Sequence, residues 1–143
     1  MKKSLKLALS YLIMGLLLGV YYREATKGMG YVGDTMLGVV HTHSLMLGAA
    51  FFFVVAICCK VFAIDGYKHF NKFLILYNIG FIMVITMMLV RGSLQVFNVE
   101  LSSGIDSMIS GFAGISHIVL SSGLVFFAVV VKKSLGEKDK GVA

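Results

Sequence analysis

Four long apolar runs, each closed off by charged or glycine-rich residues, constrain this chain more than any other feature. They cover roughly residues 5–22, 36–59, 73–96 and 108–131. About 20 apolar residues, rising 1.5 Å each in a helix, cross about 30 Å of hydrocarbon, so every run is long enough to span a bilayer or nearly so. The runs are continuous rather than alternating, which excludes the strands of a membrane barrel. No proline interrupts them, and charged residues make up only 14% of the 143, well below the roughly 25% of a soluble domain. A soluble enzyme, a nucleic-acid binder and a disordered tail are therefore excluded. The expected fold class is all-α: an integral membrane four-helix bundle over residues 1–133, followed by a charged, flexible tail at 134–143.

The charges set the expected orientation. Lys2, Lys3, Lys6, Lys60, Lys68, Lys72, Lys132, Lys133, Lys138 and Lys140 lie on one side of the four runs, and only Arg23, Lys27 and Arg91 on the other. Lys and Arg concentrate on the cytoplasmic side of a membrane, so both termini are expected in the cytoplasm. This predicts a multi-pass protein of a bacterial-type inner (cytoplasmic) membrane. The net charge of +6 is then mostly topology: its partner is the anionic lipid bilayer and no nucleic acid. Glu24, Asp34, Glu100 and Asp106 leave the opposite side nearly neutral.

The first run resembles a secretion signal, with Lys2 and Lys3 before a leucine-rich stretch. It ends in Tyr21-Tyr22-Arg23-Glu24 without a small-residue cleavage site, so it is read as a retained span. Gly28, Gly30 and Gly33 suit a turn, since no strand precedes them to make a phosphate loop. Adjacent Cys58 and Cys59 give no disulfide framework and read as apolar filler at a helix end.

Ionisable groups inside a membrane are expensive and require a reason. The spans contain no acid at depth, which excludes a carboxylate relay, but they hold three histidines: His41, His43 and His117. His69 falls in the basic loop and reads as solvated. Counted from Lys60 and Lys132, His43 lies about 25 Å, His41 about 28 Å and His117 about 22 Å from the inner boundary. The second and fourth spans run parallel, so these histidines share a level. His41 and His43, two residues apart, point about 200° from each other and cannot clamp one metal ion together. The three are the expected metal ligands, divided between two centres or between subunits.

Arg91 lies about 28 Å from Lys72 by the same count, at the histidine level. It is either a snorkelling helix-end residue or a fork for a carboxylate such as a heme propionate. Gly111, Gly114 and Ser121 accompany His117, and Gly38, Gly48, Ala49 and Ala50 flank His41 and His43. Small residues serve close helix packing, and they equally leave room for a flat macrocycle, for which Gly114 is the expected contact. The nine methionines, including Met46 near His43 and Met83, Met87 and Met88 in the third span, read as packing more readily than as copper ligands.

The segment Val39-Val40-His41-Thr42-His43-Ser44-Leu45-Met46-Leu47-Gly48-Ala49-Ala50-Phe51-Phe52 resembles the His-x-His helix of subunit I in heme-copper oxidases and nitric-oxide reductases. The chain as a whole also looks like a group of small bacterial four-span proteins with a His-Thr-His helix. The resemblance implies heme. In the large family the two histidines face opposite sides, so His41 would match the ligand of the active-site heme and His43 that of the low-spin heme. One four-helix arc of that subunit resembles this chain, which implies a homo-oligomer, naturally a trimer, with hemes at subunit boundaries. The family's further copper-site histidines have no counterpart here, so oxygen or nitric-oxide reduction is not carried over and a stand-alone enzyme is not expected.

Residues and resemblance together lead to a membrane-embedded heme b protein, non-covalent because Cys-x-x-Cys-His is absent, serving electron transfer or gas and redox sensing with an unidentified redox partner. The expected cofactor residues are His41, His43, His117, Arg91 and Gly114. His117 within the subunit, or a histidine from another subunit, completes the ligation. Two other classes stay open: a copper-handling or small-solute membrane protein, and a cofactor-free structural subunit.

Overall fold

The chain folds as expected from its apolar runs, into helices with short connections; the computed structural model describes the backbone of residues 1–141 and side chains through Glu137. The elements are α1 (Lys2–Gly28), α2 (Leu37–His43), a π-helical segment (Ser44–Ala50), α3 (Phe51–Phe62), a short 3-10 turn (Ile64–Gly66), α4 (Phe70–Val96) and α5 (Ser103–Gly141). There is no strand among the described residues. The segment Leu37–Phe62 runs as one continuous span, so four helices are long and apolar enough to cross a membrane.

The helices stop where the chain can turn left-handed. Gly30 adopts φ +58° after α1, and Tyr31 N–H closes the end on the Thr26 carbonyl at 2.9 Å, a glycine-capped terminus. Asn98, at φ +49°, does the same after α4, where Val99 N–H reaches the Leu94 carbonyl at 3.0 Å. Ala63 ends α3 at φ +50°, a conformation uncommon for a residue with a Cβ.

Helix ends run past the apolar runs, because nothing in the flanking sequence breaks them. The longest such extension is at the C-terminus. The tail expected to be flexible from residue 134 continues α5 to Gly141, and its remaining residues 142–143 lie outside the described residues. Its start is tied down: the buried Ser134 hydroxyl donates to the Phe62 carbonyl at 2.5 Å, and Tyr67 donates to Glu137 at 2.7 Å. The Glu137 carboxylate, by accepting that bond, pushes the Tyr67 phenol above its ordinary range.

Lipid tails are as apolar as leucine, so the helices are held by close packing and hydrogen bonds rather than by hydrophobic burial. An aromatic cluster fills the centre: Phe52, Phe73, Tyr77 and Phe81 are fully buried, and Phe51 stacks on Tyr77 with centroids 4.5 Å apart. The backbones of α4 and α5 meet at two glycines. A Cβ at Gly80 would lie 2.3 Å from Leu120 N, and one at Gly123 2.6 Å from Tyr77 N. Tyr11 donates to Asn78 across α1 and α4, and the Tyr77 hydroxyl donates to the Leu47 carbonyl in the π-helical segment at 2.8 Å.

The partners of the second span change along its length. α2 packs on α1 and α4, whereas α3 packs on α1 and α5; among the described residues no Cα of α2 comes within 8 Å of one in α5. The bundle is therefore closed at the end holding the termini and parted between α2 and α5 at the other, distal end.

Candidate cofactor site

The parting of α2 from α5 leaves a cavity of about 320 Å³ with α4 as its back wall. From α2 it is lined by Met36, Val39 and His43; from α4 by Met87, Met88 and Arg91; from α5 by Ile109, Ala113 and His117. The α5 residues are four apart and so form one stripe along that helix. The structure thus brings together three expected residues, His43, His117 and Arg91.

His43 and His117 are held alike. His43 Nδ1 lies 2.8 Å from the Val39 carbonyl and His117 Nδ1 2.7 Å from the Ala113 carbonyl. A carbonyl only accepts, so in these bonds Nδ1 carries the proton, and the tautomer compatible with them has its lone pair on Nε2. Each bond runs back one helical turn, fixing ring and tautomer as the partners of metal-binding histidines do.

Arg91 closes the distal side. Its Nη2 lies 2.5 Å from Asp106 Oδ1 and 3.0 Å from Ser110 Oγ, both on the first turns of α5. Among the described residues Nε and Nη1 make no hydrogen bond; both two-donor edges of the guanidinium include Nη2, which is the atom Asp106 and Ser110 occupy.

His41 stands apart. α2 is α-helical through His43, so the 200° between the two rings holds and His41 faces α1. A Cβ at Gly19 would sit 3.7 Å from its own Cβ, its ring stacks on Tyr22 at 6.2 Å, and its buried Nδ1 has no hydrogen-bond partner. Gly114 does not line the cavity either. A Cβ there would meet nothing within 4 Å, and the small residue beside His117 that keeps the cavity open is Ala113. His69, read as solvated, packs its ring 5.8 Å from Phe126 with Nδ1 buried and unpartnered.

Two features escaped the sequence reading. Asp106 and Ser110, one turn apart, are the partners of Arg91; their spacing on one helix face was the available signal. The π-helical segment directly after His43 had none, since its residues are ordinary helix formers. It is held from outside: Ser44 donates to the Tyr11 carbonyl at 3.2 Å, and Gly48 lets Tyr11 approach, where a Cβ would sit 2.7 Å from that of Tyr11. Such segments recur at functional sites in helices.

Among the described residues no three His, Cys, Asp or Glu side chains converge as a metal cage. What the cavity offers is two imidazoles, the thioethers Met36, Met87 and Met88, and one arginine.

The model of a family described as protein of unknown function (DUF2871) matches residues 1–134, and the chain belongs to that family. No curated protein and no solved structure matches it.

Proposed function

We propose that this membrane-spanning protein binds heme b in the cavity between α2, α4 and α5, with His43 and His117 as the axial pair, and that it carries electrons. The observation that supports this is the matched pair of histidines on two helices lining one cavity, each with Nδ1 tied to its own helix and Nε2 left as a lone pair. Two protein ligands are too few for a bare divalent ion held in a protein cage. A heme would bring nitrogen ligands of its own, so that His43 and His117 would suffice to hold its iron.

The remaining residues fit the same group. The cavity of about 320 Å³ is within the size range of small-molecule sites. Ala113 keeps a larger side chain from filling it one turn before His117. Arg91, at the distal end, is the cation that would receive a propionate carboxylate, a group arginine binds well. Held by two histidines, the group would supply one-electron chemistry, which favours electron transfer over gas sensing. His41, facing α1, takes no part.

The test is spectroscopic. Protein expressed with ample heme and purified in detergent should show a Soret band and a low-spin reduced spectrum. His43→Ala and His117→Ala should each abolish the low-spin form, and His41→Ala should leave it. Absence of a Soret band, together with no binding on hemin titration, overturns the proposal. Copper without iron on elemental analysis would then favour a copper site built from His43, His117, Met87 and Met88. A colourless, metal-free protein whose histidine variants lose only stability would favour a structural subunit.

A further inference from the structure

Arg91 carries one positive charge, and Asp106 already neutralises it. In a cavity bounded by apolar side chains and lipid, a second carboxylate brought to the same guanidinium repels the first more strongly than it would in water. Asp106 is poised to leave. Its side chain is 57% exposed, against 31% for Arg91, and it stands in the first turn of α5, at the distal end of the span where water and lipid headgroups can take it over. Residues 103–115 of α5, which carry it, are exposed apart from Ile109 and Ala113. Beyond Arg91 their hydroxyls bond only back along their own helix: Ser107 to the Ser103 carbonyl at 2.8 Å and Ser110 to the Asp106 carbonyl at 3.0 Å.

From this arrangement we infer that Asp106 is a displaceable counter-ion, a residue that sets the specificity of the cavity by competing with the carboxylate of the ligand for Arg91. The inference rests on the proposed porphyrin site and adds its selection rule. A ligand with a free carboxylate exchanges with Asp106 on Arg91 and frees the first turns of α5. A ligand without one leaves the Arg91–Asp106 pair in place. Asp106 therefore weakens the binding of acidic porphyrins and is indifferent to neutral ones.

The sign of one substitution separates this role from a merely structural one. If Asp106 only held Arg91 in position, removing it would weaken the binding of a carboxylate ligand. If Asp106 competes, removing it strengthens that binding. Hemin and hemin dimethyl ester, which differ only in whether the propionates are free, are titrated into the heme-free full chain in detergent, with Asp106→Asn and Asp106→Ala beside the wild type.

Both variants should bind hemin about fivefold more tightly, the factor represented by an exposed ion pair of the stronger ordinary kind, and should bind the ester as the wild type does. Helical content by circular dichroism shows that each variant is folded, and the two substitutions guard against the asparagine keeping a neutral bond to Arg91. Weaker hemin binding in both variants, or the same change for hemin and its ester, overturns the inference while leaving the heme site standing. Failure of all three proteins to bind either compound overturns the site itself and the inference with it.

Discussion

Replacing Gly80 by alanine tests how the bundle is held together. A methyl group there would lie 2.3 Å from Leu120 N, 2.6 Å from Leu120 Cα and 2.9 Å from the Val119 carbonyl carbon. Non-bonded carbons rest at about 3.5–4.0 Å, so α4 and α5 must part by about 1 Å at this level. All three atoms are backbone, which cannot swing aside as a side chain would. Overpacking of this kind costs about 1–3 kcal/mol, set against a gain of up to about 1 kcal/mol from replacing glycine in a helix. With the full gain subtracted, the net is a loss of up to about 2 kcal/mol. Gly114→Ala is the control: its Cβ meets nothing within 4 Å, so only the helix gain remains. Denaturation in mixed micelles, followed by circular dichroism, should place Gly80→Ala below the wild type and Gly114→Ala at or slightly above it. Gly123→Ala, whose Cβ would lie 2.6 Å from Tyr77 N, should behave like Gly80→Ala. The double variant should lose less than the sum, because helices already parted by one methyl accommodate the second. Equal stability of Gly80→Ala and Gly114→Ala would refute the packing argument.

Tyr77→Phe should lose about 1 kcal/mol in the same assay, the worth of a buried neutral hydrogen bond, because it strands the Leu47 carbonyl; Tyr21→Phe, whose hydroxyl meets Ser93 at an exposed site, should change little, and equal losses would contradict the distinction. At the terminal end the Tyr67 hydroxyl donates to Glu137, so its raised phenol pKa reflects preference for the protonated, donating form. That contact is intact at neutral pH and disappears as the pH rises through the raised pKa. Glu137→Gln should move one tyrosine in the ultraviolet absorbance titration to lower pH, and an unchanged titration would show that Glu137 has no hold on Tyr67.

The helices were legible because their signal is local: length and apolarity of each run decide whether it spans, with no reference to its neighbours. The separation of His41 from His43 was legible for the same reason, since 200° follows from helix geometry alone. The meeting of His43 with His117 needed one further step, the common level given by counting from lysines. Which small residue stands beside His117 was beyond that reach. Ala113 and Gly114 differ by 100° around α5, and only the placement of α4 and α2 decides which one borders the cavity. The Arg91–Asp106 pair likewise depends on how α4 and α5 cross. The helical continuation beyond residue 133 was missed because charge density suggests solvation, whereas Ser134 and Glu137 find partners in the α3–α4 connection.

The π-helical segment shows why the site itself could not be read from local preference. Its wide turns inserted between His43 and Phe51 rotate α3 by about a third of a turn relative to an unbroken α-helix. The exchange of partners occurs across this segment: α2 contacts α4 and not α5, while α3 contacts α5. One consequence is that the aromatic residues of α3 close the bundle while His43, a few residues earlier, borders an opening. Residues 44–50 would form a regular helix as readily as a wide one by propensity alone. What holds the wide form is non-local: Ser44 on the Tyr11 carbonyl, Gly48 against Tyr11, and Tyr77 on the Leu47 carbonyl. Those contacts come from α1 and α4, so the cavity between α2 and α5 is a property of the assembled bundle, with the two histidines as its locally specified part.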